Sequence, residues 1–224
     1  MSSRTARIPI KVFSTELLNR RRLSRKAFEL EISRPSEFFY QSGQRIRFIS
    51  DTGERDYSLL SIPDRPSLKL CVRSVEKGQF SPLLETAAIG TRFQITGPHG
   101  HFLFQPSPRP AVFVATGTGI APFHAFCFAG AVPQALIHGV GRFEDLYYEN
   151  KFRGRAANYI ACISRDKDPS QDVFYGRVTD YIHQHLAPKA YDFYLCGRRE
   201  MIRDVILLVD DNFPGSYIFT EIFY

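Results

Sequence analysis

Several short stretches of this 224-residue chain combine residue types that could do chemistry. The first runs Ala115-Thr116-Gly117-Thr118-Gly119-Ile120-Ala121-Pro122-Phe123, after an apolar run at 111–115 and before a helix-like run at 124–129. A strand, then glycines, then the start of a helix is the order that builds a dinucleotide site. Gly117 and Gly119 let the backbone turn tightly and approach a pyrophosphate, and exposed N–H groups at the helix start face its charge. Pro122 stands where the usual fingerprint has a third glycine; it suits the first helical turn, where no N–H partner is needed. Taken alone, such a turn is structural as often as it binds a ligand.

Three further stretches add to it. Arg55-Asp56-Tyr57-Ser58 puts an arginine and an aromatic at alternating positions, on one face of a strand. The arginine fork can clamp a pyrophosphate, the tyrosine ring can lie against a flat heterocycle, and the serine can hydrogen-bond a ring nitrogen. The same alternation decorates many exposed strands. In the run from Cys71 to Leu84, a strand holding Cys71, Val72 and Arg73 leads to Gly78, Gln79 and Phe80, and Ser81 then opens a helix. Ser81 fits an N-cap, and the same geometry offers free amides to a phosphate; a plain capped helix fits equally. Lastly, Cys196 and Gly197 fall at the carboxyl end of an apolar, strand-like run, where a parallel sheet places its site.

The elements that must position these residues differ between the two halves. Up to about residue 104 short alternating segments dominate, at 8–13, 28–33, 45–49, 57–60, 68–75, 92–96 and 102–104, with one helical piece at 81–88. Short strands punctuated by Gly, Pro, Asp and Ser predict an antiparallel barrel or sandwich. The segment 105–110 holds three prolines and marks a boundary, dividing the chain into domains 1–105 and 106–224. Beyond it, β-type runs at 111–115, 135–140, 159–164, 191–196 and 217–223 alternate with helical stretches that include 122–129, 178–186 and 200–209. Alternating βα units imply a parallel sheet covered on both faces.

Composition narrows the function classes. With 44% hydrophobic and 23% charged residues the chain is an ordinary globular protein. No apolar run approaches the ~20 residues of a membrane span, and the N-terminal residues lack a signal peptide's apolar core, so a cytoplasmic protein without membrane insertion is expected. The four cysteines form no CxxC pair, which argues against a zinc or iron–sulfur site. The net charge of +6 draws on Arg20, Arg21, Arg22, Arg25 and Lys26, read as a solvated turn or as a landing patch for an acidic partner. No helix-turn-helix, finger or stacking motif accompanies the charge, so nucleic acid is not an expected partner.

The motifs, in this order and over the whole chain from about Ile8 to Tyr224, resemble the ferredoxin–NADP reductase family of flavoenzymes. Arg-Asp-Tyr-Ser is similar to that family's flavin-binding strand, Lys77 to Leu84 to its second pyrophosphate element, and Gly97 to Phe102 to the end of its barrel. Gly117 to Pro122 is similar to its nicotinamide nucleotide loop. Cys196-Gly197 with Met201 resembles its Cys-Gly-x-x-x-Met element.

The resemblance implies a two-domain fold: a six-stranded antiparallel, Greek-key type β-barrel holding FAD, followed by an α/β domain binding NADP, with NAD possible. Arg55 would bind the FAD pyrophosphate, Tyr57 would stack on the isoalloxazine, and Ser58 would bond near flavin N5. Cys71, Val72, Arg73, Gly78, Gln79, Phe80 and Ser81 would serve the rest of FAD. Thr116, Gly117, Gly119, Arg142, Ser164, Arg165, Arg177, Cys196 and Gly197 would serve the nicotinamide nucleotide. The pattern Ser164-Arg165 and Gly176-Arg177, without an acidic residue at the tip of the 135–140 strand, favours NADPH.

Two departures stand out. Lys77-Gly78 replaces a pair of glycines, and the chain ends Glu221-Ile222-Phe223-Tyr224 where plant-type relatives end Glu-x-Tyr. Phe223 or, by preference, Tyr224 would cover the flavin, and Glu221 is either a proton relay or only a strand-end carboxylate. The implied activity is transfer of hydride between NAD(P)H and FAD, and of electrons to a separate carrier such as an acidic ferredoxin or flavodoxin. The competing readings are a reductase of free flavin, the reductase component of an oxygenase, and a non-catalytic binding module.

Overall fold

The computed structural model describes residues 11–51, 53–78, 80–168 and 172–223. Six strands build the first half: β1 (Val12–Ser24), β2 (Ala27–Ser33), β3 (Arg45–Ser50), β4 (Gly53–Ser58), β5 (Ser67–Arg73) and β6 (Arg92–His99), with the short helix α1 (Ser81–Thr86) before the last. Their spatial order is β4-β3-β6-β1-β2-β5, antiparallel throughout. A bridge between Leu59 and Leu70 brings the two edge strands together and closes the barrel. Alternating inward residues, among them Leu17, Phe28, Leu30, Ile46, Phe48 and Leu70, fill it.

The second half is a parallel sheet in the order β10-β9-β8-β7-β11-β12. Its strands are β7 (Ala111–Thr116), β8 (Ala135–Val140), β9 (Tyr159–Ile163), β10 (Phe174–Tyr175), β11 (Asp192–Arg198) and β12 (Tyr217–Phe223). The helices are α2 (Ala121–Phe128), α3 (Glu149–Phe152), α4 (Val178–His185) and α5 (Arg199–Asn212). Strand β7 shows why its run is wholly apolar: Val112 and Val114 face a core with α4 and α5, while Phe113 and Ala115 face one with α2 and α3.

The second of these cores also takes in Ala27, Leu60, Cys71 and Phe102 from the barrel side, so the two halves share an apolar seam. Polar bonds cross it as well. Buried Asp145 accepts from Ser24 at 2.9 Å and pairs with Lys26 at 3.3 Å, and His124 Nδ1 lies 2.9 Å from the Leu60 carbonyl.

Four expectations are corrected. Arg20, Arg21 and Arg22 lie within β1, paired opposite Leu30, Glu29 and Phe28; the turn is Arg25-Lys26. Arg20 donates to the carbonyls closing α1, Arg21 pairs with Glu29 and Arg22 with Glu85, so this run braces the barrel itself. The strand expected at 57–60 is instead Gly53–Ser58, because ion pairs of Arg47 with Glu54 and Asp56 take the place of an apolar alternation. The 102–104 segment forms no strand: Phe102 and Phe104 are drawn into an aromatic cluster with Phe113, Phe126 and Tyr194 in the seam. Ser81 is not the N-cap, a place that Phe80 takes; its hydroxyl accepts from the Val75 amide at 2.9 Å and ties the helix to the preceding loop. Of the strand expected at 8–13, residues 8–10 lie outside the described residues.

Candidate flavin and nicotinamide nucleotide site

In a parallel sheet all carboxyl ends meet along one edge, and that edge is where open α/β sheets bind ligands. Thr116 ends β7 and Gly117 follows it, Arg142 follows β8, Ser164 and Arg165 follow β9, Arg177 follows β10, and Cys196 and Gly197 lie at the end of β11 just before Arg198. The topology thus lines up every residue that the sequence assigns to the nicotinamide nucleotide. Arg142, Arg165 and Arg177 are exposed and form no ion pair among the described residues. The Arg165 stem passes over Gly141, where an added Cβ would lie 3.5 Å from Arg165 Cδ.

The loop after β7 is more tightly built than its sequence suggests. Gly117–Ile120 form a turn of 3-10 helix before α2, with Gly117 at φ +53°. Pro122 occupies the first turn of α2, as expected from its fixed φ. Gly119 is dictated by packing: a Cβ there would overlap the Cys196 carbonyl and come within 2.7 Å of its carbon. Gly197 mirrors it, at φ +138°, with its would-be Cβ driven into Thr116. The Thr116 hydroxyl accepts from the Arg198 amide at 3.0 Å, completing the lock between the two strand ends.

His138, a residue that sequence reasoning passed over, supports the loop from below. It is fully buried, with Nε2 3.1 Å from the Gly117 carbonyl and Nδ1 3.1 Å from the Tyr159 hydroxyl. Nε2 therefore carries the hydrogen and Nδ1 accepts. Burial lowers the imidazole pKa to about 4, keeping it neutral.

The barrel supplies the other side. Ser58, at the end of β4, is buried and donates to Glu221 Oε2 at 2.7 Å; Arg45 Nη1 donates to Glu221 Oε1 at 3.0 Å. Glu221 lies in β12 opposite Cys196 of β11. Ser58, Glu221 and Cys196, far apart in the chain, thus meet where the barrel faces the sheet edge. Burial raises the Glu221 carboxyl above its ordinary range, against the downward pull of Ser58 and Arg45. Burial, with the Glu221 charge added, also holds the Cys196 thiol well up and protonated.

Tyr57 is half-buried with its ring edge-on to Phe48, and burial pushes its phenol up to about 12. Arg55 is exposed, donates to the Glu54 carbonyl, and has no carboxylate partner among the described residues, so its fork is open to an anion. Cys71 and Val72 bury their side chains, leaving only backbone groups to meet a ligand, while Arg73 is exposed. A Cβ on Gly78 would crowd the Val75 carbonyl at 3.0 Å, which accounts for that glycine. Gln79 and Tyr224 lie outside the described residues. A half-buried aromatic, an open arginine fork and a polar group at the strand end are donors that suit a flavin dinucleotide.

A closed antiparallel barrel abuts the carboxyl edge of a parallel sheet, with these groups in the seam: the two-domain arrangement of a flavin-binding barrel beside a nucleotide-binding domain. Two family descriptions match the chain: Oxidoreductase FAD-binding domain over residues 14–104 and Oxidoreductase NAD-binding domain over residues 113–206. The chain belongs to the ferredoxin–NADP reductase family. The toluate 1,2-dioxygenase electron transfer component of Pseudomonas putida is 29% identical over 213 residues, covering 86% of this chain and 62% of the relative. Ferredoxin–NADP reductase B of Sorangium cellulosum is 36% identical over 157 residues, covering 64% of each. The chain therefore spans a little under two thirds of these relatives' lengths. A ferredoxin NADP+ reductase structure from Neisseria gonorrhoeae with bound FAD and NADP shares the fold, with a TM-score of 0.81 at 23% identity over 96% of this chain and all of that one.

Proposed function

We propose that the protein is an FAD-dependent NAD(P)H reductase that passes electrons to a separate carrier. The observation that carries this reading is the meeting of Ser58, Glu221 and Cys196 at the junction of the barrel and the nucleotide-binding edge. Bound FAD would supply the chemistry, two-electron exchange with a nicotinamide and one-electron exchange with a carrier. The chain's residues orient and shield it. Tyr57 would pack against the ring system and Arg55 would hold the pyrophosphate, with the backbone of Cys71, Val72, Gly78 and Ser81 completing that site. Thr116 to Gly119 would hold the nicotinamide nucleotide, and Cys196, neutral and buried, would seat its ring without adding charge. Ser58 would present its hydroxyl at the reacting edge, where a proton released there would pass to its oxygen as its own proton moves to Glu221, and the reverse would return it.

The three arginines along the sheet edge suit a 2′-phosphate, and NADPH is the proposed donor. Replacing both Arg165 and Arg177 with alanine is expected to raise KM for NADPH by about 10²-fold, roughly 1.4 kcal/mol for each lost charge-assisted contact, and KM for NADH by less than about threefold. Steady-state kinetics with both donors check this; equal effects would contradict the assignment.

The relatives named above are an electron transfer component and a ferredoxin–NADP reductase, which supports a ferredoxin or flavodoxin as the acceptor. An acidic carrier fits the net charge of +6, although the arginines of β1 are engaged within the barrel. The test is NADPH oxidation with ferredoxin, flavodoxin or free FMN as acceptor. Turnover with a protein carrier, weakening as salt rises, supports the proposal. Turnover with free flavin alone supports the flavin reductase.

A further inference from the structure

Arg45 belongs to none of the motifs above, yet it makes the bond that fixes the most buried carboxylate of the site. On β3 it sits directly opposite Ser58 of β4. Cross-strand neighbours on one face stand about 5 Å apart at Cβ, the spacing that lets two side chains each take one oxygen of the same carboxylate. Here Arg45 takes Glu221 Oε1 at 3.0 Å and Ser58 takes Oε2 at 2.7 Å. The Glu221 side chain is 6% exposed and that of Arg45 32%, so the pair is only partly screened.

Arg45 is itself held. Its Nε donates to Asp56 at 2.9 Å, and Asp56 is gripped from the other side by Arg47 at 2.6 Å. A Cβ on Gly100 would come within 2.8 Å of Arg45 Nη1, so the loop after β6 leaves room for the guanidinium and for little else. Arg45 therefore reaches from the barrel into the sheet domain along one defined path.

We propose that Arg45 is a positioning residue that keeps Glu221 an anion and commits its second oxygen to Ser58. The proposal rests on the reading of Ser58 and Glu221 given above and deepens it. An anionic Glu221 can only accept, so the Ser58 hydrogen points at Glu221 and the lone pairs of the serine oxygen face the cofactor side. A protonated Glu221 would compete to donate and could turn the hydroxyl round. The charge on Glu221 thus sets the direction in which Ser58 presents its hydrogen.

The groups facing Glu221 are few. Arg45 and Ser58 favour its charged form, whereas burial and the Asp56 charge oppose it. Cys196 across the strand pair is a neutral thiol held well above its ordinary range. His99, opposite Arg45 on β6, is lowered by burial and by Arg47, which favours its neutral form. Arg45 is accordingly the one cation bonded to Glu221 among the described residues.

The test uses the FAD-loaded protein carrying glutamate labelled with ¹³C at the carboxyl carbon. The Glu221 resonance is assigned by its loss in Glu221→Gln. Replacement of Arg45 by Met, which keeps length and removes charge, is expected to move the Glu221 titration up by about one pH unit or more, a tenfold change in its proton affinity. Arg45→Lys is expected to return most of the shift and guards against a variant that merely folds poorly. The acid limb of flavin reduction by NADPH, followed by anaerobic stopped flow, should rise with the titration in Arg45→Met and be absent in Glu221→Gln. An unchanged titration midpoint in a folded Arg45→Met overturns the proposal. A shifted midpoint with a pH profile that ignores both Arg45 and Glu221 leaves the clamp standing and overturns the proton role of Glu221.

Discussion

Gly197→Ala is expected to damage the protein more than any other single methyl group added to the site. Gly197 has φ +138°, a conformation that costs an L-residue about 1–3 kcal/mol. The new Cβ would also meet the Thr116 backbone nitrogen and oxygen at 3.0 Å and overlap the Thr116 hydroxyl oxygen. Those atoms belong to β7, paired with β11 up to Ala115 opposite Cys196, and cannot move without breaking the ladder. A loss of about 3 kcal/mol follows, a shift in Tm of roughly 6–12 °C for a domain of this size. The bond from the Arg198 amide to Thr116 goes with it, so nicotinamide nucleotide affinity should fall at least tenfold while the barrel keeps its flavin. Scanning calorimetry and nucleotide titration of the variant check both; a Tm within 2 °C of the wild type would show that the strand ends are looser than described.

Ser58→Ala is the second large effect, and it is kinetic. The hydroxyl is buried and engaged with a single carboxylate oxygen, and nothing else on β4 can replace it. A group that fixes the geometry at the reacting edge can be worth about 10²-fold when it is lost, so hydride transfer should slow by about 10²-fold or more. NADPH affinity should change less than about twofold, because the nucleotide contacts proposed here lie on the sheet edge and not on β4. Anaerobic stopped flow separates the two quantities. A rate within threefold of the wild type would remove Ser58 from the chemistry and leave it a packing residue.

Much of this was legible in the sequence, for reasons visible residue by residue. The runs 135–140 and 217–223 became β8 and β12 with the expected bounds: β8 because a buried parallel strand is a continuous apolar run, and β12, a partly exposed edge strand, because aromatic and β-branched residues fill it. The glycine loop could be placed because strand, glycines and helix follow one another locally. Where local patterns mislead, the cause is distant contact. Arg20, Arg21 and Arg22 look like a solvated turn until Glu29, Glu85 and the end of α1 are brought beside them. Ser81 looks like a cap until its hydroxyl finds Val75. Arg45 gave no signal at all, because its partner Glu221 lies 176 positions away and only the docking of the two halves unites them. His138 reads as one histidine in an apolar strand; its purpose appears only when the Gly117 carbonyl is seen above it.

The central claim, that the seam between barrel and sheet is a flavin site fed by a nicotinamide nucleotide, is tested most directly by the visible spectrum of the purified protein, followed by anaerobic addition of NADPH and then, in a separate sample, NADH. The account predicts flavin absorption that bleaches with either donor and faster with NADPH, because the hydride donor and acceptor are held in one preorganised site. A protein that stays colourless after incubation with FAD and gel filtration, or that binds FAD and is bleached by neither nucleotide, would contradict it.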